Sequence, residues 1–583
     1  MPPPYSLPHP PGHQGRTRRL RSGCMLAMAM LALCLVQPLG AEQSIDQPPA
    51  AETDPCTPGF SADDQVLFNF VDTRAGIDFS QYAGKPIGTI TYRVLPIFNE
   101  QDPDENNWLF RAANWLHIDT RERTLKKQMI IRSGETLDPL RLTENERLLR
   151  SNDYLVDAMI LPARVCPDRI DLLVVVRDIW TFSPSASASR TGGEDESSAG
   201  ISEDNLFGTG QSISIGYFQD ADRNGRTFSY RNPLIHERWA FGLTSADNSD
   251  GEELEVSIVR PFYELDSTWS AGASSLYLSL QQDIESNGVL ANRYLQTTES
   301  HTAFVGWSRG RQQGNISRWL GGFTSTADRF ETDPLTTSLP DDETLRYPWL
   351  GWEFSQERFA TADNINRTHR QEDIQLGFAH QVQIGYAHED FGSSKNAVIF
   401  SLVTGYATFL GNSHLVRTQL YSSGQRTSEM VEDTFFGSSL QYYYFINEKN
   451  RWFASVNFDG ARNVRDDQQL GIGGDNLRGY PDDYQRGNRR WVASVERRRF
   501  TNWHIFNLAY LGIAGYVDVG KVWDTETPNP PNTDTLANVG FGLRISPSKF
   551  RLDKIAHIDI AAPLRNTDEV DDYQIIVSGR VDF

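Results

Sequence analysis

The segment Gly473–Asp483 ("GGDNLRGYPDD") carries the residues whose types and spacing best suit a specific interaction. A solvent-exposed turn needs glycine and aspartate, but it does not need an arginine followed by glycine and tyrosine. The guanidinium of Arg478 is a planar, permanently charged fork that can bind two carboxylates. Gly479 allows a tight turn beside it, and Tyr480 can pack its ring while its hydroxyl reaches a polar group. Two interpretations stay open, a buried ion pair or an exposed turn in which such a pair is worth at most about 1 kcal/mol.

The sequence carries no motif for covalent chemistry. It has no Gly-x-Ser-x-Gly, no phosphate-binding loop and no His/Cys group at metal-ligand spacing, and its eleven histidines are scattered. We therefore expect no enzyme, no cofactor and no bound metal.

The formal net charge is −21, and without the arginines at positions 16, 18, 19 and 21 the balance is 51 − 76 = −25. A nucleic-acid-binding protein needs a basic face, so this class is excluded.

The first 41 residues predict an export signal. Four arginines precede the apolar run Cys24–Val36, and Leu39–Ala41 is a plausible cleavage site. A retained membrane anchor is the alternative, although the run is short for a membrane span.

After cleavage only Cys56 and Cys166 remain, and in an oxidising compartment they favour one disulfide over two free thiols. No later stretch approaches eighteen apolar residues, so we expect no transmembrane helix.

The next part of the chain predicts a linker and then a small domain. Residues 42–84 begin rich in proline and acid, which is typical of a linker. Residues 85–182 predict an α+β domain with the order β-α-α-β-β. Its second helix starts at Asp138 followed by Pro139, a helix cap and a first-turn proline. Two strands follow, Tyr154–Val165 and Arg169–Asp178, joined by a Cys-Pro-Asp turn.

A second linker is expected over 183–196, and the region 197–583 is rich in predicted strands. Segments of about eight to fourteen residues alternate apolar with small or polar residues and are separated by acidic loops. Strands of this kind fit a transmembrane antiparallel β-barrel, with lipid outside and polar side chains inside. A soluble β-sandwich is the competing fold, but it would rarely be so long. The fold class is therefore mainly β, a barrel preceded by one small α+β domain.

Taken together, these motifs resemble the BamA/TamA-like superfamily of outer-membrane assembly and translocation proteins, also called the bacterial surface antigen family. The small domain is similar to a single POTRA domain, and the final Phe583 is similar to the C-terminal signal of outer-membrane barrels. The segments that carry the resemblance are "LTENERLLRSNDYLVDAMI" (Leu142–Ile160), "RIDLLVVVRD" (Arg169–Asp178), "EDNLFGTGQ" (Glu203–Gln211), "LRGY" (Leu477–Tyr480) and "YVDVGKVWD" (Tyr516–Asp524).

The resemblance implies a barrel of sixteen strands, of which the sequence supports five after the "LRGY" loop and eleven to fourteen before it. It also implies that this loop, Leu477–Tyr480, folds into the lumen, where Arg478 meets acidic groups on the following strands. The matching candidates are Glu496 and Asp518. A weak seam between the first and last strands is implied as well. Gly208 and Gly210 would lie at its N-terminal edge and Phe583 in the last strand.

The function implied by the resemblance is insertion or translocation of client proteins without covalent chemistry. The barrel would lie in the outer membrane, in contact with its lipid, and the POTRA domain would receive clients in the periplasm by strand addition. Two alternatives stay open, a dedicated exporter of one partner protein and a passive outer-membrane pore. A fused lipase domain, which some relatives carry, would not fit into residues 42–84. The sequence identifies neither the client nor the oligomeric state.

Overall fold

The structure is a computed structural model. It describes residues 56–580 apart from 192–193, 220–222, 287–288, 366–370, 466–467, 475, 482, 527–532, 551–554, 566–569 and 571. The predicted export signal and Phe583 lie outside the described residues. Among the helices that the structure describes, none has the length and hydropathy to cross a bilayer.

The helices are few and short. The α-helices are α1 (Phe70–Ala75), α2 (Trp108–Leu116), α3 (Glu122–Gln128) and α4 (Pro139–Arg150). Single 3-10 turns lie at Gln65–Phe68, Phe79–Tyr82, Leu206–Gly208 and Glu389–Phe391.

Strands make up most of the described chain. The first four are β1 (Thr57–Pro58), β2 (Ile87–Leu95), β3 (Leu155–Val165) and β4 (Ile170–Asp178). The next ten are β5 (Phe182–Thr191), β6 (Glu194–Glu203), β7 (Ser212–Gln219), β8 (Asn224–His236), β9 (Trp239–Asn248), β10 (Gly251–Arg260), β11 (Trp269–Ser286), β12 (Val289–Gln312), β13 (Asn315–Thr332) and β14 (Glu343–Gln356). The remainder are β15 (Phe359–Asp363), β16 (Gln371–Gln375), β17 (Gly377–Ala387), β18 (Ala397–Leu410), β19 (His414–Arg426), β20 (Val431–Asn447), β21 (Asn450–Arg462), β22 (Leu470–Ile472), β23 (Gln485–Gly487), β24 (Arg489–Ile505), β25 (Ala509–Trp523), β26 (Leu536–Pro547), β27 (Ile555–Pro563) and β28 (Gln574–Arg580).

The described chain divides into two compact units. The small unit comprises residues 56–96 and 125–178, and the large unit comprises 97–124 and 179–580. The chain therefore leaves the small unit after Pro96, contributes α2 to the large unit, and returns at Leu125.

The small unit is built on a four-stranded sheet with the order β1-β3-β4-β2, in which β2 and β4 are parallel and the other pairs are antiparallel. The predicted β-α-α-β-β order is present as β2, α3, α4, β3 and β4. Helix α4 begins as predicted, because the Asp138 side chain accepts a hydrogen bond from Leu140 N (2.9 Å) and Pro139 occupies the first turn.

The predicted linker over 42–84 was wrong for the part that the structure describes. From Thr57 onward the chain forms β1, two 3-10 turns and α1. Leu67 and Phe70 of this segment are buried against Met159 and Val175 of the sheet. The proline-rich start of the segment obscured these two apolar residues, which are too few to give a periodic signal.

Cys56 and Cys166 form a disulfide in the small unit. Strand β1 pairs antiparallel with the end of β3, and Thr57 lies opposite Val165. This pairing places the cysteines next to each other, since each is one residue beyond a paired position. The bond closes a loop with a sequence separation of 110 residues.

Twenty of the described strands form a closed barrel, with β5–β14, β17–β21 and β24–β28 in sequence order around it. The expected number of sixteen was wrong. Five strands follow the "LRGY" loop, as expected, but fifteen precede it. Two of the additional strands are β5 and β6, which pair over ten residues where a linker had been predicted at 183–196. Their serine, alanine and acidic residues give no apolar alternation, because ladder pairing requires only the backbone groups.

Strand β25 shows the alternation expected of a barrel wall. Ala514, Tyr516 and Asp518 are buried, whereas Ile513 and Val517, at alternating positions, are exposed apolar residues. Successive side chains of a strand point to opposite faces. The barrel therefore places polar and aromatic groups in its lumen and an apolar surface outside.

We predict that replacing Cys56 and Cys166 with serine destabilises the small unit. In the chain-entropy model a loop of this length is worth about 4–5 kcal/mol in the free energy of unfolding. Urea unfolding of the parent and the double variant measures the difference. Mass spectrometry after alkylation without reductant tests the bond itself, and modification of both cysteines in the native protein would contradict it.

Candidate functional site

The inner wall of the barrel gathers acidic residues through strand register. Ser494 of β24 lies opposite Asp518 of β25, which in turn lies opposite Asn538 of β26. Two residues further along β24, Glu496 lies opposite Tyr516 of β25. Directly opposite residues of antiparallel strands share a face, so all of these side chains point into the lumen at similar heights.

The loop between β21 and β24 enters this lumen. Its base is the short hairpin of β22 and β23, which pair over three residues. Gly474 N donates to the Tyr480 carbonyl (2.9 Å) and closes the tip of the loop. Gly479 has φ +86°, and a Cβ there would lie 3.3 Å from the Ala561 side chain. Only glycine adopts this backbone conformation without strain so close to the wall.

Arg478 makes the contacts that define the site. Its Nε and Nη2 donate to the two carboxylate oxygens of Asp518 at 2.7 and 2.8 Å, and its Nη1 donates to Glu496 Oε2 at 3.3 Å. All three side chains are at most 4% exposed. The structure thus brings together Arg478, Glu496 and Asp518 as the family resemblance implied, and it places the loop inside the barrel.

Three further charged residues belong to the same cluster and were missed by sequence reasoning. Arg544 Nη2 lies 2.9 Å from Glu496 Oε1, and its Nη1 lies 2.6 Å from Asp559 Oδ1. Arg498 Nε lies 2.9 Å from Glu496 Oε1, and Arg478 Nη1 lies 3.7 Å from Asp559 Oδ2. Three arginines therefore face three carboxylates, and their formal charges cancel.

Neutral groups complete the environment of the arginine. Its guanidinium carbon lies 3.3 Å from the ring centre of Tyr516, a cation–π arrangement. A Cβ at position 540 would lie 2.4 Å from the Tyr516 hydroxyl, so Gly540 leaves the space for that ring. Asn538 Nδ2 donates to the Arg478 carbonyl (2.6 Å), and the Tyr480 hydroxyl donates to the Ala537 carbonyl (2.8 Å). The loop is thus held by its backbone as well as by its charge.

The electrostatics of the cluster favour a permanently charged arginine. Burial alone would lower the pKa of Arg478, but the hydrogen bond and charge of Asp518, with the charges of Glu496 and Asp559, raise that pKa above its ordinary value. Removing one partner of a buried ion pair is costly because the other charge remains without compensation. The cluster therefore favours the one loop position in which every charge is paired.

An apolar layer covers the other side of the loop. Leu477 and Tyr480 of the loop pack in a buried cluster with Ile472, Val522 and Leu536. Burial of this apolar surface stabilises the inserted loop, but the hydrophobic effect is non-directional and does not select one exact position. The ion pairs fix that position.

A second segment enters the lumen between β14 and β17. The hairpin of β15 and β16 buries Ile365 and Ile374 against Leu415, Tyr443 and Phe453. Phe453 lies opposite Glu496 in the ladder, so these partners line the inner wall. Connections of an antiparallel barrel alternate between its two ends, and the order of strands puts this hairpin at the end opposite to the Arg478 loop.

The predicted seam glycines are placed elsewhere by the structure. Gly208 and Gly210 lie in the turn between β6 and β7, whereas the barrel closes between β28 and β5. A Cβ at position 208 would lie 2.3 Å from the Asp119 carbonyl oxygen. Close backbone approach therefore explains the glycine at position 208, and the assignment of both glycines to the seam was wrong. Phe583 lies outside the described residues.

The similarity of this chain to known proteins is found among solved structures. No family model and no curated protein matches the sequence. Among solved structures, the chain is similar to BamA from Haemophilus ducreyi lacking POTRA domains 1–3, with 14% identity, 85% of this chain and 84% of that chain covered, and a TM-score of 0.35. It is also similar to CdiB from Acinetobacter baumannii (12% identity, 84% and 72% covered, TM-score 0.41) and to CdiB from Escherichia coli (12% identity, 86% and 78% covered, TM-score 0.41).

We predict that Arg478→Ala lowers barrel stability and activity together. Three buried carboxylates would then face two arginines, and loss of one partner from a buried pair typically costs about 3–5 kcal/mol. Thermal unfolding in detergent and an activity assay in cells measure the two effects. The matched control is Arg486→Ala, because Arg486 pairs with Asp483 in the same loop region but its side chain is 34% exposed.

Asp518→Asn should give a milder loss of the same kind, since the amide oxygen still accepts one hydrogen bond. If Arg478→Ala is as heat-stable and as active as Arg486→Ala, the buried-lock interpretation fails.

Proposed function

We propose that this chain is an outer-membrane β-barrel of the BamA/TamA-like superfamily that inserts or translocates client proteins, and that its small unit is a POTRA domain. The observation that carries the proposal is the inserted loop, whose Arg478 is locked to Asp518 and Glu496 on the inner wall. The arrangement involves charge pairing and strand pairing only, and we infer no covalent chemistry, cofactor or metal.

The barrel surface supports a membrane location. Val495, Ile513, Val517 and Phe541 on neighbouring strands are all exposed and apolar. A soluble protein would expose such a band to water, whereas a membrane barrel places it against lipid. The apolar band therefore favours the outer membrane, with the small unit in the periplasm.

The filled lumen argues against the passive pore. Barrels of 16–18 strands leave an aqueous channel when the interior is empty. Here the Arg478 loop occupies one end of the lumen, and the hairpin of β15 and β16 packs at the other. A conducting pore has no use for two inserted segments, one of them held by buried ion pairs. We therefore favour a machine that is closed at rest.

Two strand edges offer routes for a client. In the small unit β2 is an edge strand of the sheet, and it can pair with an extended client segment. In the barrel the wall closes where the last strand, β28, meets the first strand, β5. No turn links these two strands, so they can separate without strain on the chain. Lateral opening between β28 and β5 is the proposed route into the membrane, because the freed strand edge can pair with a client strand.

Depletion of the protein followed by outer-membrane proteomics tests the function. We expect the abundance of many outer-membrane barrels to fall, because their insertion would depend on this chain. Loss of one secreted protein alone would support the dedicated exporter instead. A change in small-solute uptake with an unchanged proteome would indicate a pore and overturn the proposal.

A cysteine pair engineered across β5 and β28 tests the lateral route. We expect oxidation to stop client handling and reductant to restore it, since a covalent bond prevents the seam from opening. The matched control is Val495→Cys with Val517→Cys, which lie opposite each other on the outer face of β24 and β25. That pair should cross-link without loss of activity. A seam pair that is fully cross-linked and fully active would exclude lateral opening.

A further inference from the structure

Helix α2, "WLFRAANWL", has its apolar residues on two faces. It begins after Asn107, whose side chain accepts a hydrogen bond from Phe110 N (3.0 Å). Trp108 and Leu109 recur as Trp115 and Leu116 about two helical turns later, so these four side chains share one side of the helix. Phe110 lies on the opposite side.

The Phe110 side holds α2 to the large unit. The Phe110 ring stacks on Phe98 with 4.1 Å between ring centres, and both pack with Ile97, Trp180 and Leu508. Leu508 belongs to the turn between β24 and β25. One face of α2 is thus already used in packing against the end of the barrel.

Polar contacts fix the segment that leads into α2 to the same end. Asn507 Nδ2 donates to the Asp104 carbonyl (2.7 Å). Lys549, which follows β26, forms a buried ion pair with Glu105. The position of α2 against the barrel therefore depends on two neighbouring turns at one end of the wall.

The other face of α2 is exposed. Trp108 is 69% exposed, Leu109 50%, Trp115 82% and Leu116 61%. A helix on a water-facing surface normally places charged or polar residues there. Two tryptophans and two leucines so exposed on one nine-residue helix mark an interaction surface.

The turn that holds α2 is itself flanked by exposed apolar residues. Trp503 and Phe506, beside the turn that binds the α2 segment, are 71% and 83% exposed. Along β25 the outward residues Ile513 and Val517 extend the band from this turn. Tryptophan is enriched where a membrane protein meets the lipid headgroups.

We propose that α2 is an interfacial helix that inserts its Trp108/Leu109/Trp115/Leu116 face into the phospholipid leaflet at this end of the barrel. The inference rests on the proposed membrane barrel and adds a second lipid contact, made by a helix rather than a strand. Exposed Arg111 on the flank of the face can meet lipid phosphates. Lipid is the favoured occupant because α2 is fixed to the turn between β24 and β25, where the exposed Trp503 and Phe506 end the outward apolar band of the wall.

The test places single environment-sensitive fluorophores on the full chain in vesicles of phosphatidylethanolamine and phosphatidylglycerol. The labelled variants are Trp115→Cys on the helix face, Val517→Cys on the barrel band and Gln101→Cys in the exposed polar segment before α2. Cys56 and Cys166 are joined in a disulfide, and Cys24 and Cys34 are replaced with serine in every variant. Nitroxide-bearing phospholipid reports contact with lipid, and aqueous iodide reports contact with water.

We expect the Trp115→Cys label to be blue-shifted, quenched by nitroxide lipid as strongly as the Val517→Cys label, and protected from iodide. The Gln101→Cys label should show the opposite behaviour. Lipid quenching at Val517→Cys with iodide quenching at Trp115→Cys would overturn the inference and leave the membrane barrel standing. Protection of the Trp115→Cys label from both quenchers would mean that protein covers the face, which also overturns it. Absence of lipid quenching at Val517→Cys would refute the membrane barrel itself.

Discussion

A charge inside a protein must be paired, and this constraint governs the lumen of the barrel. Arg478 enters the lumen from a loop and meets Asp518 through two parallel hydrogen bonds. An unpaired guanidinium at this depth would cost several kcal/mol of desolvation, so the loop has one acceptable position. The aromatic ring of Tyr516 and the glycines at 479 and 540 are consequences of that position, because each leaves room for the guanidinium or supports it.

The width of the barrel explains why two segments of the chain lie inside it. A wall of twenty strands encloses an interior too wide for wall side chains alone to fill. The Arg478 loop and the hairpin of β15 and β16 enter from opposite ends of the barrel and fill part of this interior. The first is fixed by charge and the second by apolar packing around Tyr443. The two inserted segments therefore differ in what would release them.

Sequence reasoning located the centre of the site but not its full extent. Arg478, Glu496 and Asp518 were accessible through the family resemblance of the "LRGY" loop and the strands after it, and the Cys56–Cys166 bond through the number of cysteines. Strand alternation assigns a residue to a face, but it does not give its height along the wall. The contacts of Arg544 and Asp559 depend on the register of β26 and β27, which no local pattern encodes.

The other differences have a common physical origin. Strands β5 and β6 are held by backbone pairing, and their small and acidic side chains carry no apolar signal. Leu67 and Phe70 are isolated apolar residues whose burial depends on a sheet formed much later in the chain. Gly208 has its role through contact with Asp119, far away in sequence. Each case requires a long-range contact that sequence spacing does not reveal.

The positions of the cluster residues along the chain decide which parts of the wall its charge balance requires. Arg478 precedes all three of its carboxylate partners, which lie on β24, β25 and β27. The charge of Arg478 is balanced only when these strands form the wall around the loop. Strand β27 is the next to last of the barrel, so the cluster is complete only when the barrel is almost closed. A wall without β27 would lack Asp559 and leave three arginines facing two carboxylates, so the finished barrel differs from an incomplete one by one buried, uncompensated charge.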